Sequence, residues 1–258
     1  MTKIGLFDSG VGGLTVLKEL LLREPDLSYV YFGDTARYPY GGKSQETIIR
    51  YSTENSRFLI DQGVDLICIA CHTATSLALE ALQTRVTIPI LGVIDPAVEK
   101  MVQSTKNGHL GVLGTRATIQ SGMYARALQE ALPTASVTSL ACPLFVPLIE
   151  EEITSPDILR LVVKETLAPL KGKEIDTLLL GCTHYPLLAD YIQEEVGNTV
   201  TLVNPAKTFA EKYAQIKKSS PHTPEQAFFV SDDPDRFKAI GEAFLGISMK
   251  AVERVSFS

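Results

Sequence analysis

The chain has no apolar run approaching the roughly 18 residues that a membrane-crossing helix requires, so a helical membrane protein is excluded. Its amino terminus, MTKIGLFDSG, lacks the long apolar stretch and small-residue cleavage site of a secretory signal. Cytoplasmic residence is the expectation. Basic residues form no block and no aromatic-studded stripe, and the formal net charge is −6. Neither a nucleic-acid nor a membrane partner is expected on those grounds. An anionic substrate would have to be held by local donors rather than drawn in by overall charge. Cysteine is scarce, with four in 258 residues, too few for a disulfide scaffold. Free thiols, catalytic or buried, are expected instead.

What the chain does have is alternation. Short β-branched runs alternate with helical patterns, the signature of parallel sheets covered on both faces. KIGLFD reads as a first strand, SGVGG as a turn, and the residues around Leu14–Leu22 as a helix. LSYVYFGD is a second strand, and ETIIRYSTENSRFLIDQG is an amphipathic helix ending at Gly63. DLICIA and IPILGVID are further strands. The pattern restarts with HLGVLG as strand, TIQSGMYARALQEAL as helix and ASVTSLA as strand. Pro156 to Leu170 reads as helix, and DTLLLG and NTVTLVN as strands. From Lys207 on, a helix, a short strand AFFV, a helix after Asp232 and a final extended piece are expected.

An internal repeat is more informative than any single element. IGLFDS (Ile4–Ser9) resembles LGVLGT (Leu110–Thr115), DLICIAC ending at Cys71 resembles DTLLLGC ending at Cys182, and VIDPA and LVNPA carry Pro96 and Pro205. The three landmarks recur in one order at nearly constant separation. The fold class that follows is α/β, with two similar lobes, each a mostly parallel sheet flanked by helices. The lobes are related by a pseudo-two-fold axis, and ligands bind outside the carboxyl ends of such strands. Cys71 and Cys182 are therefore expected to oppose each other across a cleft between the lobes.

The cysteines divide into two kinds. Cys68 and Cys71 form a C-x-x-C, but side chains three apart on a strand point to opposite faces, which disfavours a shared metal or disulfide. Cys68 and Cys142 read as small buried hydrophobes. Cys71 and Cys182 are each followed by polar residues, CHTAT and CTHYP, and each stands where a strand gives way to a helix. Taken singly, either fits a core as well as a reactive site; the repeat favours function for the pair. Backbone N–H groups there would favour the thiolate, the form that acts as base or nucleophile. Asp8, ending the first strand, is available to Cys71, and His184 lies two residues from Cys182. An aspartate after a strand otherwise reads as a turn or helix cap, and a lone histidine as a structural residue.

The motifs FDSGVGG, YFGDTARYPYG, ACHTAT, GVLGTRATIQSGMY, CPLFVPLIE and LLLGCTHYPLL run in that order from Ile4 to about Pro205. Together they resemble the glutamate racemases of the aspartate/glutamate racemase superfamily. The resemblance implies a cofactor-independent enzyme that interconverts L- and D-glutamate and supplies D-glutamate for peptidoglycan. It implies Cys71 and Cys182 as the two acid–base groups, with Asp8 assisting Cys71 and His184 and Glu150 near Cys182. This agrees with the residue-level logic, because inversion at a planar carbanion needs one acid–base group on each side. Asp8, Ser9, Tyr40, Gly41, His72, Thr73, Thr115, Thr183 and His184 match substrate-contacting places, offering hydroxyls and backbone donors for carboxylates. Asp34 matches an acidic family position and reads as structural.

The family also implies that residues 207–258 return to the first lobe, giving 1–95 plus 207–258 and 96–206 as the two lobes. A small-molecule substrate and a homodimer are compatible with it. His72 stands where the family usually carries asparagine; a bulkier imidazole there would contact substrate, shift the pKa of Cys71 or narrow the pocket. Only seven residues precede Asp8, so activation through an amino-terminal extension is not expected. Four other readings stay open. One is racemisation of aspartate or a related amino acid. A zinc site could be built from Cys71, His72, Cys182 and His184. A cysteine hydrolase would use Cys182, His184 and Glu150. A binding module of the same form is a further, non-catalytic possibility.

Overall fold

The computed structural model describes residues 3–216, 223–246, 248–249 and 251–256. Four strands, β1 (Ile4–Asp8), β2 (Tyr29–Gly33), β3 (Leu66–Ile69) and β4 (Ile90–Gly92), lie side by side in the order β2-β1-β3-β4. The next four are β5 (His109–Gly114), β6 (Ser136–Ala141), β7 (Thr177–Gly181) and β8 (Thr201–Val203). They form a second sheet in the order β6-β5-β7-β8. One strand order used twice is what the internal repeat predicts, with Ile4–Ser9 matching Leu110–Thr115 at the first strand of each set. β9 (Gln226–Val230) and β10 (Val252–Arg254) then extend the first sheet beyond β2. Every pairing in both sheets is parallel.

Parallel strands need crossovers, and helices supply them: α1 (Leu14–Arg23), α2 (Gln45–Asp61), α3 (His72–Gln83), α4 (Ile94–Ser104), α5 (Arg116–Gln120), α6 (Met123–Ala131), α7 (Phe145–Glu150), α8 (Pro156–Leu167), α9 (Ala189–Val196), α10 (Pro205–Ile216) and α11 (Pro234–Leu245). Helices cover both faces of the strands, which is why IGLFD and TLLLG are buried at every position and show no alternation. On one face of the first sheet, Leu6 and Tyr31 meet α1, α10 and α11 through Leu17, Phe209 and Phe237. On the other, Phe7 and Phe32 meet α2 and α3 through Leu59 and Ala78. Cys68 belongs to the first of these layers and Cys71 to the second, so the C-x-x-C spacing brings no two thiols together. In the second sheet, α7 to α9 pack on Leu178 and Leu180, while α4 and α6 pack on Leu110 and Leu179. Among the described residues no helix is long and apolar enough to cross a membrane.

The structure corrects the sequence reading in two places. TIQSGMYARALQEAL is not one helix: Gly122 adopts φ +66° and separates α5 from α6. Glycine reaches that left-handed region without a Cβ penalty, and the chain uses it to turn. IPILGVID does not stay extended either. β4 stops at Gly92, where a Cβ would run into Thr75, and Ile94–Asp95 already begin α4.

Candidate active site

In each sheet the chain reverses direction between its first and third strands, and such switch points open a crevice at the strands' carboxyl ends. β1 and β3 deliver Asp8, Ser9 and Cys71 to the crevice of the first sheet. β5 and β7 deliver Thr115 and Cys182 to that of the second. The two crevices share one cavity of about 220 Å³, whose wall contains both Cys71 and Cys182. A larger groove of about 550 Å³ runs between α2, α3, α5 and α6, but its lining residues, Lys43, Ser76 and Arg126 among them, include no thiol or imidazole. The turn SGVGG makes the close approach possible: a Cβ at Gly12 would collide with Thr183 and His184. Thr15 Oγ1 donates to the Thr183 carbonyl at 2.8 Å, tying α1 to the end of β7.

The two thiols sit in different surroundings. Cys71 caps α3, its sulfur accepting from the Ala74 N–H at 3.5 Å with Ser9 Oγ 3.8 Å away. Burial pushes its pKa up to about 12, the Asp8 charge adds to that, and the Ala74 N–H and Ser9 hydroxyl offset only part of it. Cys71 is therefore a protonated thiol at neutral pH. Cys182 Sγ lies 3.9 Å from His184 Nδ1, whose Nε2 lies 2.7 Å from Glu150 Oε1. Burial works against a charge on His184, but Cys182 and Glu150 outweigh it and lift the imidazole's pKa to about 10. A cation beside the sulfur is the arrangement that favours a thiolate. Cys71 faces the Asp8 charge, whereas Cys182 faces an imidazolium.

The sign of the resulting pH dependence is fixed. His184 is held charged in the folded protein up to about pH 10, against 6.5 for a free imidazole. Its contribution to stability is fully present below pH 6.5 and is lost as pH rises through about 10. Urea unfolding between those limits is expected to show stability falling with pH, and Glu150→Gln to flatten that slope. An unchanged slope in the variant would refute the ion pair.

The structure also separates the predicted residues by position. Ser9, Tyr40, Gly41, His72, Thr73, Thr115, Thr183 and His184 line the cavity with the thiols. Asp8 and Glu150 stand behind the wall. Asp8 is 1% exposed, with Oδ2 accepting from the Gly10 N–H at 2.9 Å and Oδ1 unpartnered. Burial raises its pKa, and the charge on His184 opposes that rise. It makes no hydrogen bond to Cys71, so any assistance passes through the field or through Ser9. The Tyr40 hydroxyl is committed to Asp34 and also accepts from Asn55 Nδ2 at 3.1 Å. Tyr40 therefore offers the cavity its ring and backbone rather than its hydroxyl.

Asp34 is structural in a demonstrable way. It is wholly buried and receives Arg37 Nε at 2.8 Å and Ser231 Oγ at 2.9 Å besides Tyr40. Arg37 also reaches Glu54 and Asn55 and lies 4.2 Å from the centre of the Tyr51 ring. This network clamps the Tyr38–Gly42 turn of the cavity wall to α2 and to the end of β9. Asp34→Ala takes from Arg37 one of its two carboxylates and from two buried hydroxyls their acceptor; the expected cost is about 1–3 kcal/mol of unfolding free energy, measured by urea denaturation.

Sequence reasoning missed residues of the wall and one that braces it from behind. Thr118 closes a triangle with Thr73 and Thr115, at 3.2 and 3.0 Å, and the third side, Thr73 to Thr115, is 3.0 Å. The spacing T-R-A-T was its signal, because a helix-capping threonine and a residue three further on share a face. Tyr38 and Arg116 line the cavity, and among the described residues Arg116 is the one guanidinium that does. Among the described residues no three His, Cys, Asp or Glu side chains converge in a way that could hold a metal ion.

The same architecture and sequence recur elsewhere. The family model for Asp/Glu/Hydantoin racemase matches residues 16–212. A glutamate racemase of Geobacter metallireducens is 46% identical over 259 residues, covering 98% of this chain and 96% of that one. The crystal structure of glutamate racemase isoform RacE1 from Bacillus anthracis superposes with a TM-score of 0.95 at 38% identity, covering 99% and 98% of the two chains. That of the Francisella tularensis glutamate racemase, solved in complex with D-glutamate, gives 0.92 at 38% identity, covering 99% and 97%. Fold, spacing and near-full-length identity agree, and the chain is an amino-acid racemase that belongs to the Asp/Glu/Hydantoin racemase family, among its glutamate racemases.

Proposed function

We propose that the protein interconverts L- and D-glutamate by two-base proton transfer, Cys71 serving one face of the α-carbon and Cys182 the other. The observation that carries this reading is the pair of thiols, one from each sheet, in the wall of one cavity. Their unequal surroundings support it: racemisation needs one base to take the α-proton and one acid to return a proton opposite. The Cys182–His184–Glu150 arrangement suits the base, and Cys71, held protonated, suits the acid. After one turnover the roles are exchanged, and the reverse reaction restores them. The N–H groups at the start of α3 and the hydroxyls of Thr73 and Thr115 are the donors for the α-carboxylate. No cofactor enters the scheme.

Glutamate as substrate draws its support from the relatives named above, one of them solved with D-glutamate bound. The reading extends to a cytoplasmic enzyme that supplies D-glutamate for peptidoglycan. It also extends to two lobes, residues 1–95 with 207–258 and residues 96–206. The packing of α10 on α1, and of α4 on the second sheet, supports that division.

Proton NMR of EDTA-treated protein with L-glutamate in D2O, alongside chiral analysis, tests the proposal. Loss of the α-proton signal with appearance of D-glutamate is the expected result. A folded protein that does neither with glutamate, but does both with aspartate, would overturn the substrate assignment and keep the chemistry.

A further inference from the structure

We infer that His72 and Tyr124 are a positioning pair that sets the separation of the two thiols, and that the Tyr124 hydroxyl bonds to a His72 ring nitrogen when substrate fills the cavity. The inference rests on the two-cysteine reading above. His72 is the first residue of α3 and follows Cys71 directly. Tyr124 stands on α6, from the second sheet, and its Cε2 lies 3.5 Å from where a Cβ would stand on Gly181, the residue before Cys182. A Cβ at Gly181 would also run into the Leu113 carbonyl, so only glycine lets the end of β7 lie this close to β5. The two rings meet with centroids 6.1 Å apart at a 36° tilt. A path of direct contacts therefore leads from one thiol to the other behind the cavity, and these two rings are its centre.

The polar atoms of the pair carry the second half of the inference. His72 is 3% exposed and Tyr124 2%. Neither ring nitrogen of His72 and not the Tyr124 hydroxyl meets a partner in good hydrogen-bond geometry, the Ala70 carbonyl making at most a poorly aligned contact with the imidazole. Buried donors and acceptors without partners are rare and costly, and here three fall on one ring pair. Burial holds the imidazole neutral, with its pKa down to about 3, and the nearby Ala70 carbonyl offsets this only in part. A neutral imidazole has one donor and one acceptor, and a phenol offers both, so either tautomer can make the bond. The bond forms, in this proposal, through a small inward shift of the two strand ends around substrate.

The test is a set of four variants, Tyr124→Phe, His72→Leu, the double variant and His72→Gln, each compared with wild type in glutamate racemisation. Tyr124→Phe and His72→Leu are each expected to lower kcat about tenfold while KM stays within about twofold, because misplaced groups slow chemistry more than binding. The double variant should be no slower than either single one, and His72→Gln, which keeps a donor and an acceptor, should recover most of kcat. A merely structural role would lower the melting temperature without that pattern in kcat. Losses that multiply in the double variant, or a glutamine no better than leucine, would overturn the pair alone. A wild-type protein that does not racemise glutamate would overturn the reading beneath it as well.

Discussion

Replacing Cys71 or Cys182 with serine is expected to lower racemisation of glutamate by about 10³–10⁴-fold, near the upper end of what a positioned acid–base group supplies. Each turnover uses both thiols, one to take a proton and one to give one, so neither loss can be compensated by the other. A serine hydroxyl is too weak an acid to serve in either role. L- and D-glutamate have equal free energies, so kcat/KM must fall by the same factor in both directions. A cysteine hydrolase built on Cys182, His184 and Glu150 behaves differently. Those three groups do line up as nucleophile, base and carboxylate, at 3.9 and 2.7 Å. Cys71 would then be a bystander, and Cys71→Ser would leave activity near wild type. That result would sink the racemase scheme in one experiment.

Solvent exchange separates the two thiols further. A variant with one cysteine left can still remove the α-proton from the enantiomer that presents it to that side. The thiol then exchanges with D2O and returns a deuteron to the same face. Cys71→Ser should therefore exchange one enantiomer with retention, and Cys182→Ser the other. Their rates should differ. Cys182 keeps the His184 imidazolium beside it, whereas Cys71 must work from a pKa near 12. Exchange of the same enantiomer by both variants would show that the thiols do not serve opposite faces.

Much of this is legible in the sequence, and the reason is physical. Strands buried on both faces have no alternation to read, but IGLFD, LICIA and TLLLG compensate by running into Asp8-Ser9, Cys71-His72 and Cys182-Thr183, where a ligand could reach them. The repeat then transferred the inference from one sheet to the other, and the shared strand order is its structural counterpart. Groups whose meaning depends on tertiary partners were harder. Tyr40 belongs to the set read as offering hydroxyls and backbone donors to substrate, and its oxygen is held by Asp34, a residue six positions earlier that is wholly buried. No local pattern reveals that, because the reason lies in Arg37, Asn55 and Ser231 converging from three elements. The break at Gly122 was missed because one glycine inside a helical pattern is commonly tolerated. Glu150 was singled out from its two acidic neighbours only by resemblance. The structure supplies the reason: of the three, Glu150 is the one that reaches His184.

The second large effect concerns His184, and exchange in single-cysteine backgrounds shows it most clearly. In the wild type, His184→Asn is expected to cost about 10²-fold in racemisation, the lower end of the acid–base range. That number alone does not say which thiol the imidazole serves, since equal free energies of the enantiomers force both directions down together. In the Cys71→Ser background only Cys182 works, and His184→Asn should again cost about 10²-fold in exchange because the cation beside that sulfur is gone. In the Cys182→Ser background only Cys71 works. There the substitution should change exchange by less than about threefold, since interaction energies belong to groups in contact. His184 does act on Asp8 at longer range, lowering its pKa, and this sets the small residual effect. Glu150→Gln should follow His184→Asn in sign and fall short of it in size. It removes the carboxylate that supports the imidazolium while leaving the imidazole against Cys182. Equal losses in both single-cysteine backgrounds would mean that His184 organises the whole cavity rather than one thiol. The asymmetry between a protonated Cys71 and a cation-paired Cys182 would then no longer explain how the enzyme divides acid from base.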